Sequence, residues 1–174
     1  MVDGVESGVR QVIDEAIAKL EELGASIHPV SLPTTRYALA CYYIIAPSEC
    51  SANLARYDGV KYGYSYQGTN DLWEALEKTR EFGFGPEVTR RVMLGTYALS
   101  TGYYDAYYLK AQPARTLNRQ DFDPVIREVD ACRTPTYPVT VFKSCSHASH
   151  TVQLYLIATC ILTGTQALLL PVTH

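Results

Sequence analysis

Residues 145–150 read "CSHASH" and place Cys145, His147 and His150 within six positions. A thiolate and two imidazoles are ligands that zinc accepts. No fourth ligand follows, and no second pair stands at finger spacing. The segment therefore reads as a polar loop, and no metal site is expected. A Cys–His nucleophilic pair would need His28 or His147 to meet a cysteine in space. Nothing local supports that, and a buried structural cysteine is the ordinary reading.

No GxSxG, GxxxxGK[ST] or GxGxxG occurs in the chain. "GFGPE" (83–87) has two glycines before a helix but no strand ahead of it, so it reads as a turn and helix start. Arg90 and Arg91 are adjacent on a fairly apolar helix, about 100 degrees apart around its axis. One can face solvent while the other faces inward. An inward guanidinium needs a carboxylate, from the protein or from a ligand, because a lone buried charge is very costly. Tyr42 and Tyr43 follow Cys41 on a strongly apolar stretch. A tyrosine buried there brings a hydroxyl that needs a partner, or opens it onto a pocket.

These groups need elements to hold them. Val9, Val12, Ile13, Ala16, Ile17, Leu20 and Leu23 recur at helical steps, which predicts an amphipathic helix over 5–23 ended by Gly24. "ASIHPVSL" (25–32) reads as a short strand, placed towards a sheet edge by Pro29. A second helix begins near Thr35, and Pro47 is expected to kink or end it. Residues 56–70 read as a loop. "DLWEALEKTREFG" (71–83) is a helix with an Asp cap, and 85–100 is another with Pro86 in its first turn. A long helix over 102–122 would set Tyr103, Tyr104, Tyr107 and Tyr108 on one stripe, suited to core or inter-helix packing. "EVDACRTPTYPVTVF" (128–142) reads as a buried strand leaving through a Thr-Pro turn.

The chain has 174 residues, 47% hydrophobic and 19% charged, with a net charge of -3. That is one ordinary α/β domain with a real core. The charge argues against a dedicated nucleic-acid surface. Five cysteines at irregular spacing read as reduced thiols rather than a disulfide framework. "MVDGVESGVR" has no secretory apolar region. The apolar tract 154–172 is interrupted by Thr159, Thr163, Gly164, Thr165 and Gln166, so a buried helix and strand is expected there, not a membrane span.

Three stretches carry a resemblance: "VSLPTTRYALACYYIIAPSECSANLARYDGVKYGY" (30–64), "TREFGFGPEVTRRVMLGTYALSTGYYDAYYLKAQPARTL" (79–117) and "VDACRTPTYP" (129–138). They resemble the amidase signature family, in its branch of glutamyl-tRNA(Gln) amidotransferase A subunits. The resemblance implies an α/β fold, a mixed β-sheet flanked by helices, of which residues 1–174 would form a single domain. That domain is the later half of an amidase signature domain, incomplete at its N-terminal side. The family's full-length protein frees ammonia from glutamine with a Ser–cis-Ser–Lys triad that lies in the preceding half. No "GGSSGG"-like stretch occurs here, so no catalytic residue is assigned and the chain is expected to be inactive alone.

By the same resemblance, Tyr42 and Arg91 would bind glutamine. The B and C subunits of the amidotransferase would be partners. The tRNA would be met mainly through the B subunit, which uses ATP and Mg, and this chain would carry no cofactor or metal. The location implied is bacterial cytoplasm or an organelle, without secretion. The alternative is a non-catalytic module that docks on the B or C subunit or complements a separate N-terminal half. Some residues depart from the family pattern. Ile157 and Ala158 stand where an Asp contacts substrate in the family. Pro113, Pro124 and Arg133 stand where two helices and a buried strand are expected.

Overall fold

A computed structural model of the chain describes residues 5–135, 159–160 and 162–164. Among these residues the long elements are five α-helices: α1 (Ser7–Glu22), α2 (Ala38–Leu54), α3 (Leu72–Gly83), α4 (Pro86–Leu99) and α5 (Tyr108–Glu128). A 3-10 turn, Pro33–Tyr37, leads into α2. The chain divides into two compact units, one of residues 1–42 and 114–174, the other of residues 43–113.

In the first unit, α1 ends as its sequence requires. Gly24 takes φ +95, its N–H donates to the Glu21 carbonyl, and the Ala25 N–H donates to that of Leu20. This paired closure needs a left-handed residue after the helix, which glycine supplies without a Cβ penalty. None of the residues of α1 is buried. Its apolar face is half-covered from Val9 to Ile17 and open at Leu20 and Leu23. The core of this unit is built by Ala38, Leu39 and Cys41 from α2 and by Asn118 and Phe122 from α5, with Leu162. Thr34 fastens the 3-10 turn to α5. Its N–H (2.8 Å) and its hydroxyl (2.6 Å) both donate to Asp121 Oδ2.

Residues 25–32 are not a strand; all but one are exposed irregular backbone. A strand needs a neighbour for its N–H and C=O groups, and Pro29 offers no N–H. Among the described residues no strand is present to pair with it. The expected strand 128–142 is helical at Glu128 and irregular over 129–135, and its remainder lies outside the described residues. Arg133 is correspondingly exposed rather than buried, and its Nη1 donates to the Ile13 carbonyl at 3.1 Å. Most of the apolar tract 154–172 also lies outside the described residues; within it Thr159, Cys160, Leu162 and Thr163 are helical.

In the second unit, Pro47 does not end α2, which continues to Leu54. Pro47 and Ser48 are fully buried, and the Ser48 hydroxyl donates to the Ile44 carbonyl one turn back at 2.7 Å. Burial of this face offsets the donor that proline removes. The loop before α3 is organised by Gly59 (φ +82) and by Thr79, a buried residue whose hydroxyl accepts from the Tyr66 N–H at 3.0 Å. Asp71 caps α3 as expected, its Oδ1 accepting from the Glu74 N–H at 2.9 Å.

The tyrosine stripe is the larger correction. Gly102 takes φ +90, residues 101–107 form turns, and α5 starts only at Tyr108. It then runs through Pro113 and Pro124 to Glu128, six residues beyond the expected end. Tyr103, Tyr104 and Tyr107 are 42%, 38% and 42% exposed, so they are not core. Their rings pair with neighbouring tyrosines instead. Tyr97 and Tyr103 have ring centroids 4.3 Å apart, Tyr103 and Tyr107 6.0 Å, and Tyr104 and Tyr108 5.4 Å. The hydrogen bond to Tyr103, with some desolvation, pushes the Tyr97 phenol up to about 12. The left-handed glycine turns these rings away from the helical phase that equal spacing predicted.

Candidate functional site

Tyr42 stands on α2 and Arg91 on α4. The start of α4 is set by Gly85 at the N-cap and Pro86 in the first turn, where a missing N–H costs nothing. "GFGPE" is thus a turn and helix start, as its sequence suggested. Glu87 follows, an acid at the positive end of the helix dipole. Further along, Gly95 and Ala98 are buried. A Cβ added at Gly95 would land inside the carbonyl group of Pro47 and 2.9 Å from the Ser48 nitrogen. The glycine lets α4 meet the α2 backbone directly. That contact fixes the face α4 turns outward, where Met93, Leu94 and Tyr97 are exposed.

Arg90 and Arg91 lie three and four residues after Glu87, and both reach it. Arg90 Nε and Nη2 donate to Oε2 at 2.9 and 2.6 Å, and Nη2 also donates to Oε1 at 2.8 Å. Arg91 Nε donates to Oε1 at 2.7 Å. The Arg90 side chain is 60% exposed and that of Arg91 28%. The two arginines therefore divide as their phase predicts, and Arg91 is the more enclosed. The hydrogen bond from Arg91, then that from Arg90, holds the Glu87 carboxyl below the usual glutamate range. A lowered carboxyl keeps its pairs above the ordinary value and loses them as pH falls through the lowered one.

Tyr42 belongs to the first unit and Arg91 to the second. Tyr42 is half-buried on α2, beside the buried Cys41, while Tyr43 is 42% exposed. Glu87 is the residue that sequence reasoning missed. Its signal was present, because an acid three and four residues ahead of two arginines, just after a helix-starting proline, is a pairing pattern.

Cys41 and Cys160 are structural groups. Burial raises the Cys41 thiol, against an opposing charge from Arg115. Burial also raises Cys160. Neither is a poised thiolate. His28 sits on exposed backbone with Nε2 3.1 Å from the Ser26 hydroxyl. Cys145, His147 and His150 lie outside the described residues, and among the described residues no group of three or more metal-ligating side chains occurs. Of Cys41, Cys132 and Cys160, the exposed Cys132 should accordingly react first with a thiol reagent at mild alkaline pH and the buried Cys41 last. Peptide mapping of the alkylated chain reads this directly, and fast labelling of Cys41 would contradict its burial.

The sequence pattern of the family described as Amidase matches residues 1–173. The chain belongs to the amidase family. This amidase-family chain is 52% identical over 174 residues to the A subunit of glutamyl-tRNA(Gln) amidotransferase from Chloroflexus aggregans, covering 98% of the chain and 36% of the relative. It is 55% identical over 155 residues to the same protein of Carboxydothermus hydrogenoformans, covering 89% of the chain and 32% of the relative. The crystal structure of the corresponding Thermotoga maritima protein aligns with a TM-score of 0.60 at 34% identity, over 92% of this chain and 31% of that one. The chain thus spans about a third of the length of these relatives. Its fold neighbour is an amidase, but the mixed sheet is not seen among the described residues, which are helical or irregular. Among the same residues, no helix is long and apolar enough to cross a membrane.

Proposed function

We propose that this chain is a portion of the A subunit of a glutamyl-tRNA(Gln) amidotransferase and carries part of its glutamine site. The observation that carries the reading is the 52% identity to such a protein across 98% of the chain. On this reading Arg91 pairs with the carboxylate of glutamine and Tyr42 contributes its hydroxyl. The enclosed Arg91 guanidinium supports that role, since a planar fork suits a carboxylate. The reaction class is glutamine hydrolysis that supplies ammonia to convert Glu-tRNA(Gln) to Gln-tRNA(Gln). The B and C subunits would be its partners. The tRNA, ATP and Mg would belong mainly to the B subunit, with no cofactor held by this chain. Residues 1–174 would be one domain of the amidase signature fold, with a mixed sheet flanked by the helices, in bacterial cytoplasm or an organelle.

No Gly/Ser-rich nucleophile signature occurs in this sequence. The purified chain should therefore release no ammonia from L-glutamine above a blank in a coupled ammonia assay, and measurable release would reject the reading. A second reading, a non-catalytic module docking on the B or C subunit, draws support from the open stripe of Met93, Leu94 and Tyr97 on α4. Retention of the chain on immobilised B and C subunits from Chloroflexus aggregans separates the cases. Retention without glutamine binding favours the module. Glutamine binding that Arg91→Ala abolishes favours the glutamine site.

A further inference from the structure

We propose that Tyr97 and Tyr103 form a site of oxidative modification, a preformed phenol pair that one-electron oxidation joins as an intrachain dityrosine. The site is independent of glutamine binding.

Dityrosine is a bond between ring carbons next to the two hydroxyls, the Cε atoms. Those carbons must be close when both rings are radicals. The ring centroids of Tyr97 and Tyr103 lie 4.3 Å apart, the shortest such separation among the described residues. A hydrogen bond joins the two side chains, so the rings meet at their phenol ends. Each Cε is one bond from the carbon that bears the hydroxyl, so the reacting atoms flank that hydrogen bond. Gly102, with φ +90, makes the turn that returns Tyr103 to the end of α4. Other rings are set differently. Tyr104 and Tyr108 lie 5.4 Å apart, but the Tyr108 hydroxyl donates to Glu49 Oε1 at 3.3 Å. Tyr66 stacks on Phe82, which has no hydroxyl. Tyr107 is 6.0 Å from Tyr103 and 6.4 Å from Tyr97, farther than the two are from each other.

The pair is also reachable. Tyr97 and Tyr103 are 49% and 42% exposed, so an oxidant can meet either ring and water can take its proton. The co-reactant is hydrogen peroxide acting through a haem peroxidase. Each ring gives up one electron and its phenol proton, leaving a phenoxyl radical with spin at Cε. The two radicals pair as a Cε–Cε bond. Each ring then moves its Cε hydrogen to oxygen and regains aromaticity. Two electrons and two protons leave the pair, and one hydrogen peroxide becomes two waters. Holding both partners in contact favours this coupling over one between chains.

The test treats the dilute 174-residue chain with hydrogen peroxide and a haem peroxidase, then digests it with trypsin. Cleavage after Arg91 and Lys110 leaves Tyr97, Tyr103, Tyr104, Tyr107 and Tyr108 in one peptide, 92–110. That peptide should lose a pair of hydrogens and gain dityrosine fluorescence. Its fragment ions should vanish between Tyr97 and Tyr103 and persist beyond Tyr103. Tyr97→Phe and Tyr103→Phe should each lose the product to the blank, while Tyr107→Phe keeps it. Phenylalanine retains the ring, and an unchanged circular dichroism spectrum shows that the loss is not unfolding. In urea the link should spread over the other tyrosine pairs of the peptide. A link in the folded wild-type chain that maps to another pair overturns the proposal, and this result needs no variant. So does a product that survives Tyr97→Phe, a link found only between chains, or no link while free tyrosine in the same mixture couples.

Discussion

Gly95→Ala should destabilise the chain by about 3 kcal/mol, at the upper end of the range for overpacking a tight contact. The sign makes this result informative. Gly95 lies inside α4, and helix propensity alone makes alanine better than glycine by about 1 kcal/mol. A helix that stood free of neighbours would gain from the change. Here the new methyl would occupy the space of the Pro47 carbonyl. Backbone cannot swing aside as a long side chain can, so α4 or the Pro47 turn of α2 must move as a whole. Thermal unfolding by circular dichroism decides the matter. A lower midpoint follows from the contact, and a higher one would mean that α4 does not rest on α2. Gly95→Ser should behave like Gly95→Ala, because the clash begins at Cβ.

Asp121→Ala should cost about 2–3 kcal/mol, the scale of losing a charge-assisted pair and stranding its donors. One oxygen, Oδ2, accepts from both the N–H and the hydroxyl of Thr34. The bond spans 87 positions of sequence and joins the 3-10 turn to α5. Both partners are half-buried, so water replaces the carboxylate only in part. Asp121→Asn keeps an acceptor of the same reach and should recover about half of the loss. Urea unfolding measures the difference, and amide exchange at Thr34 localises it. An Asp121→Ala variant as stable as wild type, with Thr34 still protected, would remove this tether from the fold's supports.

Much of the helical framework was legible in the sequence because its signals are local. Gly24, Asp71 and Pro86 end or start helices through their own backbone needs, and each sits where those needs place it. The chemistry of the arginine pair was legible in part. Their phase predicted one outward and one enclosed side chain, and either source of carboxylate was open. Glu87 decides the protein's share of that pairing, and it was visible at helical spacing.

What sequence did not show depends on partners far along the chain. Residues 25–32 alternate well enough for a strand, but a strand is defined by a neighbour, which local pattern does not supply. The tyrosines of 97–108 failed for a different reason. Their spacing fits a helix, yet Gly102 takes a left-handed turn that resets the phase before α5 begins. Pro47 was expected to kink or end its helix, and Pro113 stood as a departure inside a helix that periodicity still predicted; α2 and α5 run through both.

The meeting of Gly95 and Pro47 also constrains how this sequence can drift. A side chain at position 95 is tolerated only after the α2 backbone near Pro47 has moved, and that movement has no benefit while position 95 is still glycine. The constraint falls on position 95, because the contact is made by the α2 backbone and not by the Pro47 side chain, and it acts between positions 48 apart in the chain.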